Sequence, residues 1–443
     1  MKHKLFVFIV LLFAVVSPSK AQITQINLDA DNHSIIRTVD DLFTLIYCET
    51  SSSEGWFLLK RTNEPVARAF QVPAYFQVRD VRVHNGVAYL CGTIFGGNFG
   101  LLGTFDILSV FLGSGQVYYG YSDFYYTPII TYSMKATDLK RLDLFNVGDT
   151  VCMAMAGSSI TDLGIQVAST TVVSAWHDST GWHANAAVNK GNFVRFTDIA
   201  CLRNVVMAVG SDTNGTGCFL KAYHPSLNFP ANEFSHDLLH RIDFMSPVGD
   251  VLALRLSNDS MAVAHFDNES GVRTVLHRFR VSDATGVPSY NFNCWLTEPA
   301  ATTPYNSNWK MYELANVEDT TWILQWADYG TGLSPQLSKF PMSCPAPTAD
   351  LWRPVGTRWK SMDLDCPNAK PCLSGNNPYL NIQFSAWNTT SGNCTTHATH
   401  SLKCTTAGLL EAFMADDNMD LTIIPWTDTP AITTLPAEIL CNE

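Results

Sequence analysis

Apolar residues along this chain come in short runs, some alternating and some continuous, divided by clusters of Gly, Asn, Asp, Ser and Pro. That is the pattern of strands joined by turns. Long stretches of helical periodicity are nearly absent, and 407–414 is the one short segment that reads as a helix. Two stretches share a pattern: DVRVHNGVAYLCGT (80–93) and DIACLRNVVMAVGS (198–211). Each opens on Asp, alternates, breaks at Asn, runs apolar again and reaches Gly twelve residues after the Asp, at Gly92 and Gly210. Val81 and Val83 read as one strand, Asn85-Gly86 as a tight turn that accepts positive φ, and 87–91 as the return strand. A second turn at 97–103 and a third strand at 102–107 would follow.

Looser copies fill the rest. Their turns fall at Asp40-Asp41, 147–149, 247–250 and Glu318-Asp319. In the last copy RWKSMD (358–363) leads to a return strand in YLNIQFSAW (379–387), across an insertion carrying Cys366 and Cys372. The return strands end near Glu49, Gly92, Gly157, Gly210, Ser257, Ala327 and Ser385, about 56 residues apart on average. Antiparallel units of this size, with return strands such as VVMAV apolar on both faces, predict an all-β fold: a β-propeller of seven blades. The irregular spacing leaves six or eight blades open, and the competing arrangement is two β-sandwich domains divided near 297–308. The N-terminal ITQINLD or DLTIIPWTD (420–428), in a tail spanning 407–443, would supply the strand that closes the ring. In general pattern the repeats resemble exported bacterial propeller-like repeat proteins, without WD dipeptides in register, kelch glycine pairs or Asp boxes. Asp143, Asp198 and Asp243 recur at the place of Asp80, so these acids read as strand-entry residues rather than catalytic ones.

The first 21 residues change the setting. Lys2, His3 and Lys4 precede an apolar core from Leu5 to Val16 and a small-residue tripeptide, Ser19-Lys20-Ala21: a secretory signal peptide with cleavage after Ala21. That core is too short to span a bilayer, and no later stretch qualifies as transmembrane. Export to a periplasm, cell surface or medium follows. The chain is 46% hydrophobic and 15% charged with net charge −12, and losing three leader lysines takes the mature protein to about −15. Such a balance argues against disorder and against nucleic-acid or anionic-lipid partners. Twelve cysteines in an exported chain point to disulfides. Cys48, Cys91, Cys152 and Cys201 lie in apolar runs, where a buried thiol and a bridge are equally consistent. From about 344 onward a loop-rich part looks stapled, with Cys366–Cys372 and Cys394–Cys404 the favoured pairs.

Candidate chemistry is sparse. His236 and His240 have a zinc-protease spacing but run into a strand, and His397 and His400 lie between cysteines expected to bridge, so no metal is assigned. Acidic clusters at Asp29/Asp31/Asn32 and Asp416/Asp417/Asn418/Asp420 could take calcium or could be solvated turns; no other cofactor is indicated. Nucleophile elbows, phosphate loops and dinucleotide fingerprints are missing. Aromatics remain: Trp176 and Trp182 flank a turn that would set them side by side, and Tyr118, Tyr121 and Tyr125 lie in a Tyr-rich run. They could face a glycan or another exported protein, or simply pair across strands. The expected function is therefore a non-catalytic binding or scaffold protein. The alternative is a polysaccharide hydrolase or lyase with carboxylates drawn from different blades.

Overall fold

The Asn-Gly hairpin forms as expected: Asn85 and Gly86 take φ of 50° and 76°, the double positive φ of a two-residue turn matched to strand twist. The computed structural model describes residues 34–39, 43–51, 54–61, 67–94, 99–122, 134–161, 169–188, 194–203, 205–212, 218–223, 225–227, 247–268, 272–282, 289–297, 309–317, 320–327 and 334–341, and beyond these the backbone of short strands between 350 and 440. Successive antiparallel meanders follow. The first holds β1 (Ser34–Val39), β2 (Phe43–Ser51), β3 (Glu54–Arg61) and β4 (Ala67–Gln71). The second holds β5 (Phe76–His84), β6 (Val87–Ile94), β7 (Phe99–Asp106) and, after the short helix α1 (Ile107–Phe111), β8 (Tyr118–Ser122). The third is β9 (Met134–Val147), β10 (Thr150–Thr161), β11 (Ser169–Asp178) and β12 (Gly181–Val188). Then come β13 (Val194–Cys201), β14 (Val206–Asp212) and β15 (Cys218–Tyr223), followed by β16 (Pro247–Arg255), β17 (Ser260–Asp267), β18 (Arg273–Ser282) and β19 (Ser289–Thr297). The next is β20 (Lys310–Val317), β21 (Thr320–Ala327), β22 (Ser334–Pro341) and β23 (Asp350–Trp352). The chain continues through β24 (Arg358–Asp363), β25 (Cys372–Asn376), β26 (Phe384–Trp387) and β27 (Cys394–His397). A separate sheet of β28 (Thr399–Cys404), β29 (Leu410–Ala415) and β30 (Leu421–Ile424) comes next, and β31 (Ile439–Leu440) pairs with the outer edge of β27.

First strands pack on one another in order: β1 on β5, β5 on β9, β9 on β13, β13 on β16, β16 on β20, β20 on β24, and β24 back on β1. A ring of antiparallel meanders closed through its first strands is a β-propeller, and the two-sandwich arrangement is excluded. The return strands explain why the blades hold together. On β10, Met153 and Met155 enter the core shared with the second blade, while Cys152, Ala154 and Ala156 enter the core shared with the fourth. On β14, Val206 and Ala208 face back and Met207 and Val209 face forward. A strand apolar on both faces is thus buried on both.

Several details differ from the sequence reading. Residues 410–415 are a strand, because pairing on both sides with β28 and β30 outweighs helical preference. The Val-Gly-Asp at 248–250 is an irregularity inside β16, and that blade turns at 256–259 instead, so Ser257 ends no return strand. The strand returning on β24 is β25, inside the expected insertion, and 384–387 is the third strand. Strand β7 begins at Phe99, inside the expected turn, and Ile107 starts α1, capped by the Asp106 carboxylate accepting from Ser109 N–H at 2.7 Å. DLTIIPWTD contributes β30, which pairs with β29; ITQINLD lies outside the described residues. Cys91, Cys152 and Cys201 are buried free thiols; burial pushes Cys91 and Cys201 well up and Cys152 to about 11. Cys366 lies outside the described residues, as do the side chains of Cys48, Cys372, Cys394 and Cys404.

The recurrent glycine has a packing cause. Before Asp80 and before Asp198 the first strand carries a β-bulge, at Arg79 and Thr197, and the glycine pairs across it. A Cβ on Gly92 would overlap the Gln77 carbonyl oxygen, and one on Gly157, opposite the Lys140 bulge of β9, would overlap that of Asp138. Gly92→Ala should therefore cost upward of about 2 kcal/mol, against about 1 kcal/mol for Gly86→Ala, where only the positive φ opposes a side chain. Urea unfolding of the two variants would measure the difference, and equal costs would contradict the bulge contact.

Candidate functional site

An innermost strand is hydrogen-bonded on one side only, so its channel edge carries backbone groups in need of partners. Here charged side chains of neighbouring blades supply them. The Asp80 carboxylate accepts from its own Val81 N–H at 2.8 Å and from Leu142 N–H on β9 at 3.1 Å. Asp143 accepts from Leu144 N–H at 2.8 Å and from Cys201 N–H on β13 at 2.6 Å. Asp198 accepts from Ile199 N–H at 2.8 Å and from Ala253 N–H on β16 at 2.9 Å. Guanidinium groups serve the carbonyls: Arg37 donates to Val81 O at 2.7 Å, Arg82 to Leu142 O at 3.1 Å and Arg255 to Cys201 O at 3.3 Å. Leu142 and Cys201 thus have both backbone groups satisfied by side chains from adjacent blades.

The acids are not strand-entry residues; they sit mid-strand and bridge blades. Asp80 and Asp198 each follow a bulge, as Glu313 follows one at Tyr312 in β20 and Arg141 follows one at Lys140. Asp143 lies two residues further along, nearer the hairpin, and Asp243 is outside the described residues. Across the channel Arg141 donates to Tyr312 O, and Arg37 pairs with Asp80 at 2.9 Å and Glu313 at 2.7 Å. Burial pushes the Asp80 carboxyl up, but Arg82, Arg37 and Arg141 outweigh it and hold it below its ordinary range. At Asp198 burial dominates and the carboxyl rises to about 6. Burial opposes the charge of Arg141, yet Asp80, Asp198 and Glu313 stabilise it further.

Where these first strands turn outward, a cavity of about 410 Å³ opens, lined by Arg82 and His84, by 143–146, by Arg203 and by 253–255 with Asn258. Antiparallel order puts the turn joining third and fourth strands at the same end of a blade as the turn joining the first two. The aromatic candidates β11–β12 and the start of β8 are therefore on this face. The register pairs Trp176 with His183 and His177 with Trp182, so the two Trp occupy opposite faces of the hairpin rather than one. Trp176 stacks on His183 with centroids 5.0 Å apart and belongs to the core facing the fourth blade. Trp182 faces the second blade, lies over Gly120 where a Cβ would overlap its indole, and meets His177 edge-on at 5.2 Å. Tyr118 covers His177 at 4.7 Å and stays 43% exposed. Tyr121 points to the other side of β8, against Phe99 at 5.9 Å, and is 57% exposed. Tyr118, His177 and Trp182 thus form one cluster, Trp176 and Tyr121 stand apart from it, and Tyr125 lies outside the described residues. The Trp182 Nε1–H is buried and has no hydrogen-bond partner among the described residues.

A second titratable pair sits in the fifth blade. His265 and His277 are buried with their Nε2 atoms 2.9 Å apart, and burial lowers both, His277 the more. Among the described residues no group of three or more His, Cys, Asp or Glu is placed to hold a metal, and no helix is long and apolar enough to cross a membrane. His236, His240 and the two acidic clusters lie outside the described residues, as do the side chains of His397 and His400.

No protein-family model matches this chain, and no curated protein is significantly similar in sequence. Among solved structures it is similar to a prolyl endopeptidase, with TM-score 0.46 and 8% identity over 87% of this chain and 54% of that one. It is also similar to the β-propeller domain of the Trilobed protease from Pyrococcus furiosus, which has an open velcro topology (TM-score 0.43, 7% identity, 83% of this chain and 96% of that one). An ancestral GH74 enzyme matches at TM-score 0.43 and 9% identity, over 90% of this chain and 57% of that one. The chain spans about half the length of the endopeptidase.

Two pH effects of opposite sign follow. The folded Asp198 carboxyl keeps its proton up to about pH 6, whereas an unfolded Asp ionises near ~3.9, so its favourable contribution fades as pH rises through about 6. An infrared carboxylic C=O band should disappear across that pH and be missing in Asp198→Asn. The His pair stays neutral in the fold while unfolded histidines take up protons below about 6.5, so stability falls as pH drops through that value. Urea midpoints from pH 7.5 down to about 5 should decline, and replacing both histidines by Leu should flatten that decline.

Proposed function

We infer that this chain is an exported, seven-bladed propeller that acts as a non-catalytic binding or scaffold protein, with a glycan or another exported protein as ligand. The observation carrying this reading is the Tyr118–His177–Trp182 cluster. It sets the partly exposed Tyr118 ring and its hydroxyl over an imidazole and a half-buried indole at the rim, the mix of apolar face and polar edge that suits sugar rings and protein side chains. The leader at 1–21 supports export. The channel acids support a role without chemistry, because one bonding pattern repeated at Asp80, Asp143 and Asp198 serves blade coupling, and both oxygens of each are engaged by backbone N–H groups.

A glycan array, with a panel of exported proteins from the same source as its protein arm, tests the reading. A ligand found on either arm should bind at least about tenfold more weakly to Tyr118→Ala and Trp182→Ala, an effect in the range of one lost aromatic contact. Silence on both arms, or a ligand indifferent to both substitutions, would refute it. The hydrolase alternative draws on Asp198, a buried acid that titrates near 6. Release of reducing ends from a polysaccharide, lost in Asp198→Asn, would replace the binding reading with that one.

A further inference from the structure

We propose that the cavity at the hairpin end of the channel is a binding site for an oxyanion: a carboxylate, sulfate or phosphate group held by Arg203, Arg255 and Arg82. The site is separate from the aromatic cluster and does not depend on it. Four elements build it: the end of β5 with Arg82 and His84, the end of β9 with Asp143, the turn after β13 with Arg203, and the end of β16 with Arg255. Three guanidinium groups therefore line one cavity of about 410 Å³, within the range of small-ligand pockets, in a chain whose net charge is −12.

The lining carboxylate, Asp143, is one negative charge against three guanidinium groups, acts on Arg82 and makes no ion pair among the described residues. Both Asp143 oxygens accept backbone N–H groups, from Leu144 and Cys201. Arg82 is turned inward, donating to Leu142 O at 3.1 Å and lying 3.7 Å from Asp80. Arg255 spends one N–H on Cys201 O at 3.3 Å and, among the described residues, makes no ion pair. The Arg203 side chain makes neither a hydrogen bond nor an ion pair among the described residues, while its backbone N–H is fixed to Asn258 O at 2.8 Å. Two exposed guanidinium groups without an ion-pair partner among the described residues, on anchored backbone and with a third behind them, repel one another and present fork-shaped donors to one space. A planar or tetrahedral oxyanion matches those donors and removes the repulsion.

The test is thermal unfolding of the full chain at pH 7.5 and fixed ionic strength, titrated separately with sodium sulfate, inorganic phosphate, sodium glucuronate and neutral glucose, with sodium chloride as balance. A saturable rise in Tm is expected with at least one oxyanion and none with glucose. The Arg203→Ala/Arg255→Ala variant, which also frees Cys201 O, should bind that oxyanion at least about tenfold more weakly, read as the shift from its own Tm in chloride. Preference for glucuronate would identify an acidic sugar as the source of the anion, and preference for phosphate or sulfate a free or esterified oxyanion. A rise that never saturates, or that is the same in the variant, is general stabilisation by salt excluded from the protein surface and overturns the proposal. If the double variant does not fold, Arg203→Gln alone, at an exposed side chain, gives the same comparison.

Discussion

The unpaired inner edge of each first strand is the constraint around which this propeller is arranged. A meander satisfies the outer side of that strand and leaves its channel side bare, so side chains must supply the missing partners. Here the filling is ionic. Carboxylates take the N–H groups of Leu142, Cys201 and Ala253, and guanidinium groups take the carbonyls of Val81, Leu142, Cys201 and Tyr312. Buried charges are costly unless each is paired and fully hydrogen-bonded, which is why acids and arginines alternate across the channel. The bulges put Asp80, Arg141, Asp198 and Glu313 at matching places, and the glycines opposite let the bulged backbone come close.

This lattice also bears on what the channel can do. Both oxygens of Asp80, Asp143 and Asp198 are engaged by backbone donors, which ties these acids to holding blades together. On the proposed binding reading, ligand contact falls to the mouth and rim, where Arg203, Arg255 and Tyr118 are exposed. The electrostatics separate the two regions. Arg82, Arg141 and Arg37 are balanced by Asp80, Asp198 and Glu313 deep in the ring, whereas in the cavity near the hairpin turns three arginines face one aspartate.

Much of the architecture was readable in the chain. Asn85-Gly86 marked a turn that forms as expected, and the doubly apolar VVMAV marked a strand buried on both sides. The spacing from Asp80 to Gly92 was visible as a pattern, but its cause was not. A bulge inserts one residue without altering local composition, so nothing in the sequence showed that Gly92 must pass the Gln77 carbonyl. The misplaced turn at 247–250 has the same origin: Pro-Val-Gly-Asp reads as a turn, yet here the irregularity sits within a strand that continues to Arg255. Trp176 and Trp182 were rightly set in a hairpin, but their faces depend on register, and a two-residue turn at 179–180 puts an odd position against an even one. The arginines escaped notice because their partners are backbone atoms of other blades. The polar alternation Asp80-Arg82-His84 in a first strand was the one available signal.

The direction of the carboxylate bridges has a consequence for synthesis. Asp80, Asp143 and Asp198 each reach toward the blade that follows in the chain. As the polypeptide leaves the ribosome, the newest blade thus holds an acid awaiting its acceptor strand, while those before it are already satisfied. The contacts of Arg37 with Glu313 and of Arg141 with Tyr312 obey a different clock, since they join residues far apart in sequence and form only when the sixth meander arrives. Growth can therefore proceed stepwise, but the final docking is a single event, and a truncated nascent chain carries buried arginines whose counterparts have not yet been made.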